Sequence, residues 1–137
     1  MTKQKRKKTK NGYTCKIFWQ GSAYAMALPT QLVRALEISE GDKLAIYLDN
    51  GDLVVEKFTE DGTYPKGVMF VVARVIGAGA WKNKMHKQIG FTVPRPIAEE
   101  IKKSTFKFPV IEKKEGSYFK LVFKNLNSDN PDTSKLN

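Results

Sequence analysis

The chain has 137 residues, 41% of them hydrophobic and 28% charged, with 24 lysines and arginines against 14 acids for a net charge of +10. That size fits one compact domain or two very small ones, and the balance fits a folded chain rather than a disordered one. The single cysteine, Cys15, excludes an intrachain disulfide and a cysteine-rich zinc site, and Arg74 interrupts the longest apolar run, Val68 to Ile76, well short of the ~20 residues that span a bilayer.

The N-terminus is basic but lacks the apolar core of a signal peptide, so a cytoplasmic location is expected. Lys3, Lys5, Arg6, Lys7, Lys8 and Lys10 crowd the first ten residues without an acid among them. Residues 1–12 therefore read as a disordered cationic arm, too poor in apolar side chains to fold alone. Its field favours polyanions. Nucleic acid comes before an anionic membrane, because a polybasic membrane anchor needs an amphipathic or lipidated companion that the arm lacks.

Thr14 to Trp19 reads as a leading strand that turns through Gln20-Gly21-Ser22. From Tyr24 to Leu28 large and small residues alternate with period two, the pattern of a strand with one buried face. Pro29 then suits the first turn of a helix running to about Glu37, with Leu32, Val33 and Leu36 on one apolar face. Gly41-Asp42 breaks it. Lys43 to Leu48 and Leu53 to Phe58 form a hairpin around Asn50-Gly51, a type I′ signal. Residues 59–67 carry turn signals at Asp61-Gly62 and Pro65-Lys66-Gly67 and read as a linker. Val68 to Ile76 is a second leading strand, followed by a long loop from Gly77 to Lys84. A strand closing at Val93 leads to a second proline-opened helix, Pro94 to Lys103, with Ile97, Ala98 and Ile101 inward. Strands from Phe106 to Glu112 and Tyr118 to Lys124 flank a turn at Glu115-Gly116. Asn125 to Asn137 is polar and read as a disordered tail.

A shift of 65 positions lays Tyr24 to Leu32 on Ile89 to Ile97 without a gap. Tyr24 meets Ile89, Met26 meets Phe91, Leu28 meets Val93 and Pro29 meets Pro94, while Gly51 meets Gly116 and Phe58 meets Phe123. The predicted fold is mainly β with two short helices, as tandem β-β-α-β-β units over residues 13–58 and 68–124.

The residues of the first unit carry a family resemblance. Trp19-Gln20-Gly21-Ser22, the strand closing on Leu28-Pro29, the Gly41-Asp42 step and the Asn50-Gly51 hairpin make residues 16–58 similar to the AbrB/MazE/SpoVT domain. The second unit, clearest over residues 87–124, keeps the proline but has Phe106-Lys107 in place of Gly-Asp. The resemblance implies a swapped-hairpin barrel, formed in the family by two chains, whose leading-strand face binds duplex DNA. Two units in one chain would close that barrel as a monomeric pseudo-dimer rather than a homodimer. Family members often carry an arginine just before the Ile-Pro step, where this chain has Ala27 and, in the second unit, Thr92.

Positive, amide and aromatic side chains are the candidates to replace that arginine, because Arg and Gln pair with base edges while Lys offers phosphate a point charge. Besides the arm, these are Lys16, Trp19, Gln20 and Arg34 on the strand and helix start of the first unit. In the second they are Trp81, Lys82, Lys84, Lys87 and Arg95 on the long loop and helix start. Catalysis finds no support, since His86 is a lone histidine and Glu99 and Glu100 diverge around a helix. No metal or cofactor is expected. The reading is a duplex DNA-binding transcription regulator of a prokaryote or its virus, nucleoid-associated and without enzymatic activity. The alternatives are a MazE-like antitoxin with a toxin partner, or an RNA- or protein-binding module on a double-psi-type barrel.

Overall fold

A computed structural model describes residues 14–81, 84–114 and 118–127. Its elements are β1 (Thr14–Cys15), β2 (Phe18–Gln20), β3 (Ala23–Ala27), α1 (Thr30–Ala35), β4 (Lys43–Asp49) and β5 (Asp52–Lys57), followed by β6 (Met69–Val72), β7 (Arg74–Trp81), β8 (Lys84–Val93), α2 (Arg95–Ile101), β9 (Phe106–Lys107), β10 (Val110–Lys113) and β11 (Phe119–Phe123).

Both helices open at a proline held extended, Pro29 at φ −58° and ψ 135° and Pro94 at φ −61° and ψ 147°. A proline lacks the N–H that a helix start leaves unpaired, so it ends a strand and begins a helix at no hydrogen-bonding cost. Helix α1 ends with Glu37 in the left-handed region, and the Lys57 ammonium donates to the exposed Glu37 carbonyl at 2.7 Å. Asn50 and Gly51 both have positive φ, as the type I′ turn joining β4 and β5 requires.

The strands form three antiparallel groups: a four-stranded sheet in the order β2-β3-β8-β7, a five-stranded sheet in the order β10-β11-β5-β4-β6, and the short pair β1-β9. Two pairings join the halves of the chain. In β3–β8, Tyr24 faces Val93 and Met26 faces Phe91; in β5–β11, Val55 faces Leu121 and Leu53 faces Phe123. Met26 and Phe91 from the first sheet, Leu28 just after β3, and Leu44, Ile46, Leu53, Val55, Leu121 and Phe123 from the second are fully buried together. Val33 of α1 and Ile97, Ala98 and Ile101 of α2 close the core.

Several expected boundaries move. The Val68–Ile76 strand divides at Ala73: β6 joins β4, β7 joins β8, and Ala73 exchanges backbone hydrogen bonds of 2.8 Å with Gly41 and Asp42. Residues Gly77 to Lys84, read as a loop, largely belong to the β7–β8 hairpin, with a register shift between Val75 and Gly77. A backbone ladder needs no side chains, so a run of Gly and Ala pairs without the apolar alternation that betrays a strand. Pro109, which cannot donate to a ladder, separates β9 from β10. Phe58 and Phe123 do not share a role: Phe58 stacks on Tyr64 at 6.0 Å outside the sheet, whereas Phe123 is in the core. Asn125, expected to open the tail, is instead 6% exposed and donates through its amide to the Gly51 carbonyl, and residues 128–137 lie outside the described residues.

Candidate nucleic-acid interface

Alternation along β2, β3 and β8 gives the four-stranded sheet two faces. Trp19, Tyr24, Met26, Phe91 and Val93 share the inner one; Phe18, Gln20, Ala25, Ala27, Gly90, Thr92 and Arg74 share the outer one. Adjacent in sequence, Trp19 and Gln20 thus serve opposite faces.

Arg74 and Gln20 organise the outer face. They stand on the two outermost strands, yet the Arg74 guanidinium donates to the Gln20 side-chain oxygen at 2.9 Å and through Nε to the Thr92 hydroxyl at 2.9 Å. The Gln20 amide in turn donates to the Ile76 carbonyl at 2.6 Å. The small residues between them make this crossing feasible. Gly90 is one that cannot grow, since a Cβ there would lie 2.2 Å from the Met26 carbonyl oxygen. Among the described residues, these bonds use two of the five guanidinium N–H donors.

Arg74 is the residue that sequence reasoning missed. In the sequence it stands out only as an interruption in an apolar run. Its Nε nevertheless bonds Thr92, one of the two positions where the family resemblance expects an arginine. The signal was a charged residue inside an otherwise apolar strand.

On the same face, a shallow groove of about 430 Å³ surrounds Ala27, lined by Lys16, Phe18, Gln31 and Gln88 among others. The Gln88 amide donates to the Leu28 carbonyl at 2.6 Å. Lys16 lies between β1 and β2 and is exposed.

The other expected residues scatter. Arg34 lies in the last turn of α1, not at its start, and is exposed. Lys87 is exposed on β8, and Arg95 begins α2. Trp81 and Lys84 are backbone partners at the end of the β7–β8 hairpin, and Lys82 lies outside the described residues. So do Lys3, Lys5, Arg6, Lys7, Lys8 and Lys10. Trp19 is not packed away: it is 61% exposed, its ring edge-on to Tyr24 at 5.1 Å.

Direct pairing leaves much of the positive charge available. The acids Asp42, Asp52, Glu56 and Glu99 hold Lys57, Lys124, Lys114 and Lys102. Among the described residues no ion pair engages Lys16, Arg34, Arg74, Lys87 or Arg95. Nor, among them, does any group of three or more His, Cys, Asp or Glu side chains stand ready to hold a metal, and no helix is long and apolar enough to cross a membrane.

The first half of the chain is similar to a known family: residues 17–61 match the family described as antidote-toxin recognition MazE, bacterial antitoxin, a relative of the AbrB-like swapped-hairpin proteins. No curated relative and no solved structure matches the chain.

Proposed function

We propose that the chain is a non-enzymatic, duplex DNA-binding transcription regulator that uses the outer face of the β2-β3-β8-β7 sheet together with its cationic arm. The observation that carries this reading is the MazE-like match over residues 17–61, which falls on β2 and β3, where Arg74 from the other half adds its guanidinium. On this reading Arg74 and Gln20 address base edges, and Lys16 and the arm address phosphates, whereas Lys87 alternates with Ile89 and Phe91 onto the inner face. Cytoplasmic, nucleoid-associated placement follows from that role.

We read the architecture as two tandem units, residues 13–58 and 68–124 joined by 59–67, closing a swapped-hairpin barrel within one chain. Met26 faces Phe91, 65 positions on, and Val55 faces Leu121, 66 positions on. In an antiparallel pair, a residue opposite its own counterpart marks a local two-fold axis. The added position comes from the second hairpin, where five residues separate Lys113 from Phe119 against four between Leu48 and Leu53. The leading strands are exchanged as well, β6 lying against β4 of the first unit and β1 against β9 of the second.

The test is charge reversal at an exposed site outside the core. Lys16→Glu should weaken duplex binding and flatten the salt dependence by about one in the log–log slope. Unchanged affinity and slope in a folded protein would remove this face from the interface.

An antitoxin role is the second reading. The matched family's description favours it, as do Ile111 and Phe119, which lie on one face of the β10–β11 hairpin at 37% and 45% exposure. Co-purification with a toxin, abolished by Phe119→Ser, would support it.

A further inference from the structure

We propose that the groove between Trp19 and α2, on the opposite side of the sheet from Arg74, binds one unstacked nucleobase together with its adjoining phosphate. The inference rests on the nucleic-acid reading above and adds a contact of a different kind. The groove, about 300 Å³, is lined by Trp19, Ser22, Tyr24, Arg95, Glu99 and Lys102 among others.

Trp19 is the most exposed large hydrophobic residue among the described residues, at 61%. Its ring plane is set at 78° to that of Tyr24, which fixes the indole by an edge contact. An indole so placed contributes little to the core, and it offers a preoriented flat surface to a ligand. Flat, polar-edged rings are what such a surface takes, and stacking on it is tolerant of base identity.

The charge around the groove narrows the ligand class. Glu99 is the acid in the groove, and its carboxylate accepts from the Lys102 ammonium at 2.9 Å. That hydrogen bond holds the Glu99 carboxyl below its ordinary pKa, so the pair is internally neutral. Arg95 makes no ion pair among the described residues, although its charge also acts on Glu99. Two cations against one acid leave the groove wall positive, and a ring joined to an anion, beside an open indole and that wall, describes one nucleotide unit. The Ser22 hydroxyl and the outer oxygen of Glu99 supply hydrogen-bonding partners at the groove wall. Inside an intact duplex both faces of a base are already stacked, so the groove acts on a single strand, a bulge or a base turned out of the helix.

The experiment uses the full chain carrying Trp81→Phe, so that Trp19 is the remaining one of two tryptophans. Three probes are titrated at near-physiological salt: a ten-nucleotide thymidine strand, a 20-bp duplex, and the same duplex with one bulged base. The single strand and the bulge should quench Trp19 emission, and the intact duplex should not. Trp19→Ala should lower affinity for the first two by about tenfold, within the range of single base–aromatic stacks, with the circular dichroism unchanged. Arg95→Gln should lower the single-strand salt slope by about 0.7. If the intact duplex binds while Trp19 emission and the Trp19→Ala affinities for strand and bulge stay unchanged, the platform is overturned and the DNA reading survives. If no probe binds, both fall together.

Discussion

Met26 lies directly opposite Phe91 in the strand pair that joins the two halves of the chain, and both side chains are fully buried. Removing either side chain opens a cavity at the seam. Phe91→Ala should lower unfolding free energy by about 3–5 kcal/mol, read from guanidinium denaturation. A loss below about 1 kcal/mol would mean that the seam is not where the halves are held.

Gly90 gives a sharper test of the same seam. A methyl group at Gly90 would meet the Met26 backbone oxygen, which cannot move without parting β3 from β8. Gly90→Ala should therefore abolish the folded state or lower the melting temperature severely. Gly77→Ala, where the nearest atom to an added Cβ is 3.9 Å away, should melt near the parent protein. Equal behaviour of the two variants would contradict the strand register.

Tyr47 supplies a pH signature. Its hydroxyl donates to the Glu56 carboxylate at 2.5 Å, and Glu56, 3% exposed, is also held by Lys114. Burial, followed by that hydrogen bond, raises the Tyr47 pKa far above its ordinary value of 10.0. A raised folded-state pKa means stability that is complete below the unfolded value and lost as pH climbs through the alkaline range. Urea midpoints should fall between about pH 9 and pH 11, and Tyr47→Phe should flatten that fall relative to the parent. Parallel curves would show that Tyr47 does not carry it.

The order of the elements was legible because it rests on local chemistry. Pro29 and Pro94 announced the helix starts, Asn50-Gly51 the hairpin turn, and the Tyr24–Leu28 alternation the buried face. The Arg74–Gln20 bond was not legible, because it spans residues 54 apart in sequence on strands that are not neighbours in the sheet. The β7–β8 hairpin was missed for a related reason: Gly77, Ala78, Gly79 and Ala80 carry no periodic signal. Asn125 looked like tail because its role is one amide inserted between Gly51 and Ser104, which composition does not report.

Assembly follows from the paired halves. On the proposed reading the barrel closes within one chain and avoids the translational entropy that dimerisation costs. Sedimentation equilibrium at micromolar concentration should return the 15.5 kDa monomer mass. A concentration-independent dimer would show that each half pairs with another chain.

The arm contributes electrostatically if it meets phosphate. Deleting Thr2 to Lys10 should weaken binding to all duplexes alike and reduce the salt slope by up to roughly five, the share of six basic residues. An unchanged slope would place the arm away from DNA.

The central claim is that this sheet face and arm bind duplex DNA with sequence preference. An unbiased selection from a random duplex library at near-physiological salt, with RNA as competitor, tests it most directly. The account predicts enrichment of a defined duplex motif that Arg74→Ala abolishes while the protein stays folded. Recovery of no motif, or displacement of the duplex by RNA, would contradict it.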